Sequence, residues 1–116
     1  MSKYKDLHTN EEWEQVWEDS TDKPVLVFKH STTCPISANA FSQYEAFLEK
    51  ADQDLDGYLV KVIEDRPVSN HIAEETNVKH ESPQIFLIRD KEVRWHTSHS
   101  KITVESIGEA VQRAAE

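Results

Sequence analysis

The spacing of apolar positions changes several times along the chain, and each change marks an element. "VLVF" (Val25 to Phe28) is an unbroken run of β-branched and aromatic residues, the pattern of a central strand covered on both faces. "YLVKVI" (Tyr58 to Ile63) reads as a second buried strand. Between them, from just after Cys34 to about Lys50, Ala40, Phe41, Tyr44 and Leu48 fall on one face of a helix. Upstream, Thr9 with Glu12 three residues later forms a capping box. It opens a helix to about Ser20 with Trp13, Val16 and Trp17 on one side. Residues 4 to 8 suggest a short first strand. Val68, Ile72 and Thr76 mark a short helix over 67–77, and Val104, Ile107, Val111 and Ala114 a final one. "QIFLI" (84–88) and "VRWHT" (93–97) are joined by a link short enough only for an antiparallel hairpin.

The predicted order is β-α-β-α-β-α-β-β-α. Strands that alternate with helices run parallel with right-handed crossovers, and the late hairpin adds antiparallel strands. The expected architecture is α/β: a central mixed sheet with helices on both faces, the plan of a thioredoxin fold. With 116 residues, two glycines and no low-complexity tract, one domain over 1–116 is expected.

Charge narrows the function. There are 13 Lys+Arg against 22 Asp+Glu, a net −9, which repels phosphate backbones and argues against nucleic acid. Much of the acid sits at expected solvent positions such as Glu11, Glu12, Glu14 and Glu18, where it serves solubility. No run approaches the roughly 20 apolar residues of a membrane span. "MSKYKDLHTN" lacks the apolar segment of a signal peptide. A lone cysteine forms no internal disulfide, so a reducing compartment, the cytoplasm, is expected.

That cysteine is the candidate for chemistry. It sits in "FKHSTTCPIS", directly after an apolar strand and before a helical pattern. A free cysteine is most often a small buried hydrophobe. Such a residue would fall on the apolar face of the helix, and Cys34 precedes that face. It lies instead beyond the carboxyl end of a strand, where open α/β sheets bind ligands. Pro35 suits a first helical turn, whose positive end favours a thiolate over a thiol. Ser37, three residues on, either hydrogen-bonds the sulfur or is an exposed first-turn serine.

"CPIS" is a CxxS variant of the CxxC motif of thioredoxin-like oxidoreductases, and "ESPQIFLI" resembles the segment that carries their cis-proline. "TTCPIS" followed by "SNHIAEETNVKHESPQ" resembles the YtxJ family of monothiol bacilliredoxins, over roughly residues 4 to 114. The resemblance implies a thioredoxin fold and removal of bacillithiol from protein mixed disulfides. It implies Cys34 as nucleophile, Thr33, Pro35 and Ser37 as its supporting motif, and Pro83 as a cis-proline that turns the Ser82 backbone toward the sulfur. Lys29, His30, Lys79 and His80 are candidate cations for the bacillithiol carboxylates. The second cysteine and preceding tryptophan of thioredoxins are missing. So is the glutaredoxin glycine pair, since Trp95 to Ser100 reads "WHTSHS".

One sulfur sets the mechanism. Cys34 attacks a mixed disulfide, the S-thiolated client protein leaves reduced, and a second bacillithiol must release Cys34. The resulting disulfide needs a separate bacillithiol disulfide reductase. No bound cofactor or metal is expected, bacillithiol being a co-substrate, and a monomer is expected. The rival reading is a non-catalytic thioredoxin-like module that traps thiol partners. An arsenate reductase would want an arginine soon after the cysteine, and Pro35 to Tyr44 contain none. "DQDLDG" (52–57) opens like a calcium loop, but its twelfth position is Ile63 rather than glutamate, and Asp56-Gly57 is expected to turn. His96 and His99 lack further ligands for zinc.

Overall fold

A strand with no polar face must have layers on both sides, and the chain puts Val25 in such a place. The structure, a computed structural model, describes residues 4–51 and 55–114. Its elements are β1 (Tyr4–Asp6), α1 (Asn10–Asp19), β2 (Val25–His30), α2 (Pro35–Lys50), β3 (Asp56–Lys61), α3 (Arg66–Thr76), β4 (Gln84–Arg89), β5 (Glu92–Ser98) and α4 (Val104–Ala114). A three-residue 3-10 turn, His99–Lys101, is added before α4. The sheet order is β1-β3-β2-β4-β5, so β2 is central and every one of its residues is buried. β1, β3 and β2 run parallel, and β4 pairs antiparallel with both β2 and β5.

Alternation along the strands divides the core in two. Leu26, Phe28, Leu59, Ile85 and Leu87 pack under α2 and α4. Val25, Val27, Val60, Phe86 and Ile88 pack under α1 and α3. α1 opens with the expected reciprocal capping box: Glu12 N–H donates to Thr9 Oγ1 (3.1 Å), and Thr9 N–H to Glu12 Oε1 (3.1 Å).

Two expectations at β3 change. The strand starts at Asp56, not Tyr58, so Asp56-Gly57 is not a turn. Gly57 pairs with Leu26 and Tyr4, and a Cβ on it would lie 2.9 Å from Tyr44 Oη. The glycine is there for a close helix–strand approach rather than a bend. Residues 52–54, which carry two of the aspartates of the calcium-like stretch, lie outside the described residues. No helix among the described residues is long and apolar enough to cross a membrane.

Candidate active site

β2 hands the chain to α2 through Ser31–Cys34, and the turn is closed by Cys34 N–H donating to Ser31 O (3.2 Å). Cys34 is the N-cap of α2 with extended backbone (φ −106°, ψ 123°), and Pro35 occupies the first turn. The Cys34 carbonyl accepts from Ala38 N–H (3.0 Å), while its thiol makes no capping hydrogen bond. The sulfur-bearing residue is half-buried, between a core position and an exposed one. It lies at the positive end of a sixteen-residue helix, a setting that favours an anion. Thr33 beside it is exposed.

Neither sequence reading of Ser37 holds. It is fully buried, and no hydrogen bond joins it to Cys34. Its Oγ accepts from Ser31 N–H (2.9 Å) and lies 2.7 Å from His30 Nδ1. These two contacts hold the serine hydroxyl under the turn and tie the imidazole to it. Burial also pushes His30 below its usual range, and its ring stacks on Phe41 at 4.7 Å. His30 is therefore a neutral buttress under the turn, not the exposed cation expected for a carboxylate.

Lys29 differs in the same way. Its side chain points into the α1/α3 core, where Nζ donates to Ser69 O (3.0 Å), lies 3.3 Å from His80 Nδ1 and sits 5.7 Å from the Phe86 ring centre. Burial lowers its pKa to about 8. His80 is lowered too, by burial and then by the Lys29 charge. Lys79 is exposed.

The Ser82–Pro83 peptide is cis. Gln84 pairs with Lys29 across β4 and β2, so Pro83 reaches the level of the turn that carries Cys34. Pro83 O accepts from His99 N–H (3.0 Å), tying this segment to the loop after β5. The Ser82 hydroxyl is buried with no hydrogen-bond partner among the described residues.

Sequence reasoning missed Gln84, which is fully buried and braces the cis-proline loop. Its Nε2 donates to Lys79 O (3.0 Å), and its Oε1 accepts from Glu81 N–H (3.3 Å). A glutamine opening an otherwise apolar strand was the available signal. Also missed was a cleft of about 390 Å³ between Pro35, Ile36 and Asn39 of α2 and His99 and Ser100. It adjoins the Cys34 turn, and Ile36 is one of two large apolar residues that stay exposed among the described residues, the other being Ile63 after β3. His96 and His99 form no ligand cluster; the one grouping with metal-like spacing among the described residues is Glu14, His71 and Glu75, on α1 and α3.

Comparison with known proteins agrees with this geometry. The family model for monothiol bacilliredoxin BrxC matches residues 5–107. A solved thioredoxin-fold protein, provisionally described as an oxidoreductase, is 43% identical, with a TM-score of 0.83 and 93% of each chain covered. Thioredoxin from Malassezia sympodialis (15% identity, TM-score 0.77, 100% of this chain and 94% of that one) shares the fold. So does thioredoxin f from spinach chloroplast (16%, 0.77, 98% and 88%). A half-exposed single thiol at a helix start, a cis-proline at the same end of the sheet and a serine at the second motif position thus coincide with a family match over most of the sequence: the chain belongs to the monothiol bacilliredoxin BrxC family, on a thioredoxin fold.

Proposed function

We propose that this protein removes bacillithiol from S-thiolated client proteins by thiol–disulfide exchange at Cys34, in the cytoplasm. The carrying observation is that the single thiol is half-exposed at the N-terminus of α2, while the CxxS serine is turned inward to His30 and Ser31. One sulfur can receive a small thiol, and nothing in the motif can expel it.

The steps follow from that. The Cys34 thiolate attacks the bacillithiol sulfur of the mixed disulfide, and the client leaves as a thiolate that takes up a proton. Cys34 then carries bacillithiol. The thiolate of a second bacillithiol attacks the sulfur of the carried one and releases the Cys34 thiolate with bacillithiol disulfide. Two electrons pass from two bacillithiols to the client disulfide, and a separate reductase must return them. The exposed Ile36 and Ile63 support an apolar seat for the client around the sulfur. With His30 and Lys29 buried, Lys79 and the edge of His80 remain for the bacillithiol carboxylates.

The test is turnover. Substoichiometric protein should de-thiolate a bacillithiolated client only when free bacillithiol is supplied, and Cys34→Ser should abolish this. Stoichiometric capture of client or bacillithiol without release would support a trapping module instead. Cycling without added thiol would refute the one-sulfur mechanism.

A further inference from the structure

The far end of the sheet from Cys34 carries a second feature, unrelated to the thiol. In β5, Val93 pairs with Ile88 but Trp95 pairs with Leu87, so Arg94 is one residue too many for its partner strand. This β-bulge has a visible consequence. Val93 packs with the α1/α3 core and Trp95 with the α2/α4 core, although residues two apart on a regular strand share a face. Bulges re-aim side chains at sheet edges, and here the extra residue is an arginine beside a tryptophan.

The neighbouring hairpin tip is similarly particular. Asp90 and Lys91 both have left-handed backbone (φ 56° and 57°) without a glycine. The tip is held by Asp90 N–H donating to Ser20 O (2.7 Å) and Lys91 N–H to Ser20 Oγ (2.9 Å). So fixed, the Asp90 carboxylate lies 3.3 Å from Arg94 Nη2 and 3.8 Å from Arg89 Nε. Arg94 Nε also donates to Arg89 O (3.3 Å). Two guanidiniums are oriented by one carboxylate. A third, Arg113, comes from the last turn of α4 and has no ion pair among the described residues.

Arg89, Arg94, Trp95 and Arg113, with Asp90 and Glu109, line a cleft of about 450 Å³. Three of the four arginines of a chain with net charge −9 thus converge on one concavity. Guanidinium forks match oxyanions bidentately, and two forks share a single carboxylate here, so donors remain. The two acids leave the cleft one positive charge in excess.

We infer that this cleft is a binding site for a small oxyanion-bearing molecule, one with a phosphate or a carboxylate, seated against the half-buried Trp95 indole. The site is independent of Cys34 chemistry. It is tested by following the Trp95 indole N–H by NMR, assigned with Trp95→Phe, during titration with inorganic phosphate and, separately, succinate at constant ionic strength. A saturable shift with Kd in the region of about 1 mM or below is expected for at least one probe. Saturation by phosphate alone identifies a phosphate ligand, by succinate alone a carboxylate, and by both the oxyanion itself. Arg113→Gln should weaken binding about tenfold or more, as expected for loss of a charged hydrogen bond. Lys5→Gln, on the opposite edge strand, should leave it unchanged. A linear shift without saturation for both probes, or equal effects of the two substitutions, would overturn the site.

Discussion

Lys29 shows how one side chain can carry an energetic burden within an otherwise apolar layer. Its ammonium has one backbone acceptor, the His80 ring nitrogen at 3.3 Å and an aromatic face, but no carboxylate within ion-pair distance among the described residues. A pKa depressed from 10.5 to about 8 corresponds to roughly 3 kcal/mol against the charged form. The sign follows by linkage. Below about pH 8 both folded and unfolded chains are protonated and the burden is full. Between there and the unfolded value the folded chain releases its proton first, so stability gains as pH rises. Lys29→Met keeps the packing on Phe86 and should stabilise the protein by roughly 1–3 kcal/mol at neutral pH. Its advantage should shrink toward alkaline pH. Urea midpoints at about pH 7 and about pH 10 check this; no gain at neutral pH would show that the ammonium is well compensated. Ser37 carries the opposite prediction. Ser37→Ala leaves Ser31 N–H and His30 Nδ1 without their partner and should cost about 1–3 kcal/mol. De-thiolation per folded molecule should persist, because the serine does not touch the sulfur. Denaturation and turnover measured on one preparation separate the two effects.

Between elements, contacts are local and specific. α1 meets α3 through His71, whose Nε2 lies 2.7 Å from Glu14 Oε1 and 3.7 Å from Glu75 Oε2. Trp13 Nε1–H donates to Glu75 Oε1 (3.1 Å), fixing that carboxylate. The Glu14 hydrogen bond holds His71 above its usual range, and His71 holds Glu14 below its own. Glu75 is raised, by burial and by Glu14. A raised histidine stabilises below its unfolded value, about 6.5, and the benefit is lost as pH rises through the folded value. A lowered carboxylate is lost at the acid end, so the clamp is strongest between the two. His71→Gln should flatten the decline in stability above neutral pH by under about 1 kcal/mol, given the exposure of the pair. Thermal melts across that window test it. α2 meets β3 at Gly57, where Tyr44 Oη donates to Tyr58 O at 2.9 Å. Gly57→Ala puts a methyl 2.9 Å from Tyr44 Oη and 3.0 Å from Leu48 Cδ1, and should cost about 1–3 kcal/mol. A denaturant midpoint equal to that of the parent would mean α2 slides freely on the sheet.

Over the whole molecule, both sheet edges are protected from pairing with another chain. β1 is only three residues long, and β5 carries the Arg94 bulge with Glu92 and Arg94 exposed. Together with the net charge of −9, this predicts a single chain in solution, measured by light scattering. A stable dimer would mean that another surface, such as that around Ile36 and Ile63, is covered. The two proposed sites lie at opposite ends of the sheet. β2 leads out to Cys34, whereas β4, running the other way, leads out to Arg89.

Periodicity was enough to reveal β2, α2, α4 and the hairpin, because burial on one or both faces is written directly in residue spacing. The candidate nucleophile stood out as well: a thiol that precedes the apolar face of its helix has no packing role to explain it, and Cys34 is half-buried at the N-cap of α2. The segment around Pro83 was legible only through its likeness to a known family. What sequence could not decide was the direction of polar side chains at the end of β2 and the start of α2. Lys29, His30 and Ser37 read as surface groups near a site, yet the end of β2 is central in the sheet and closed above by α3 and Phe41. Alternation sends Lys29 and His30 to opposite faces of the strand, and both faces are covered, while Ser37, on α2, is turned inward against His30. Gly57 reads as a turn because glycine is compatible with either bend or contact, and the Tyr44 ring decided for contact. The arginine cleft was invisible for a related reason. Arg89, Arg94 and Arg113 come from two strands and a helix, and Arg94 and Trp95 line one cleft at a one-residue bulge that no periodicity announces. Spacing along a chain records which faces are buried; which polar groups meet depends on register and on what covers them.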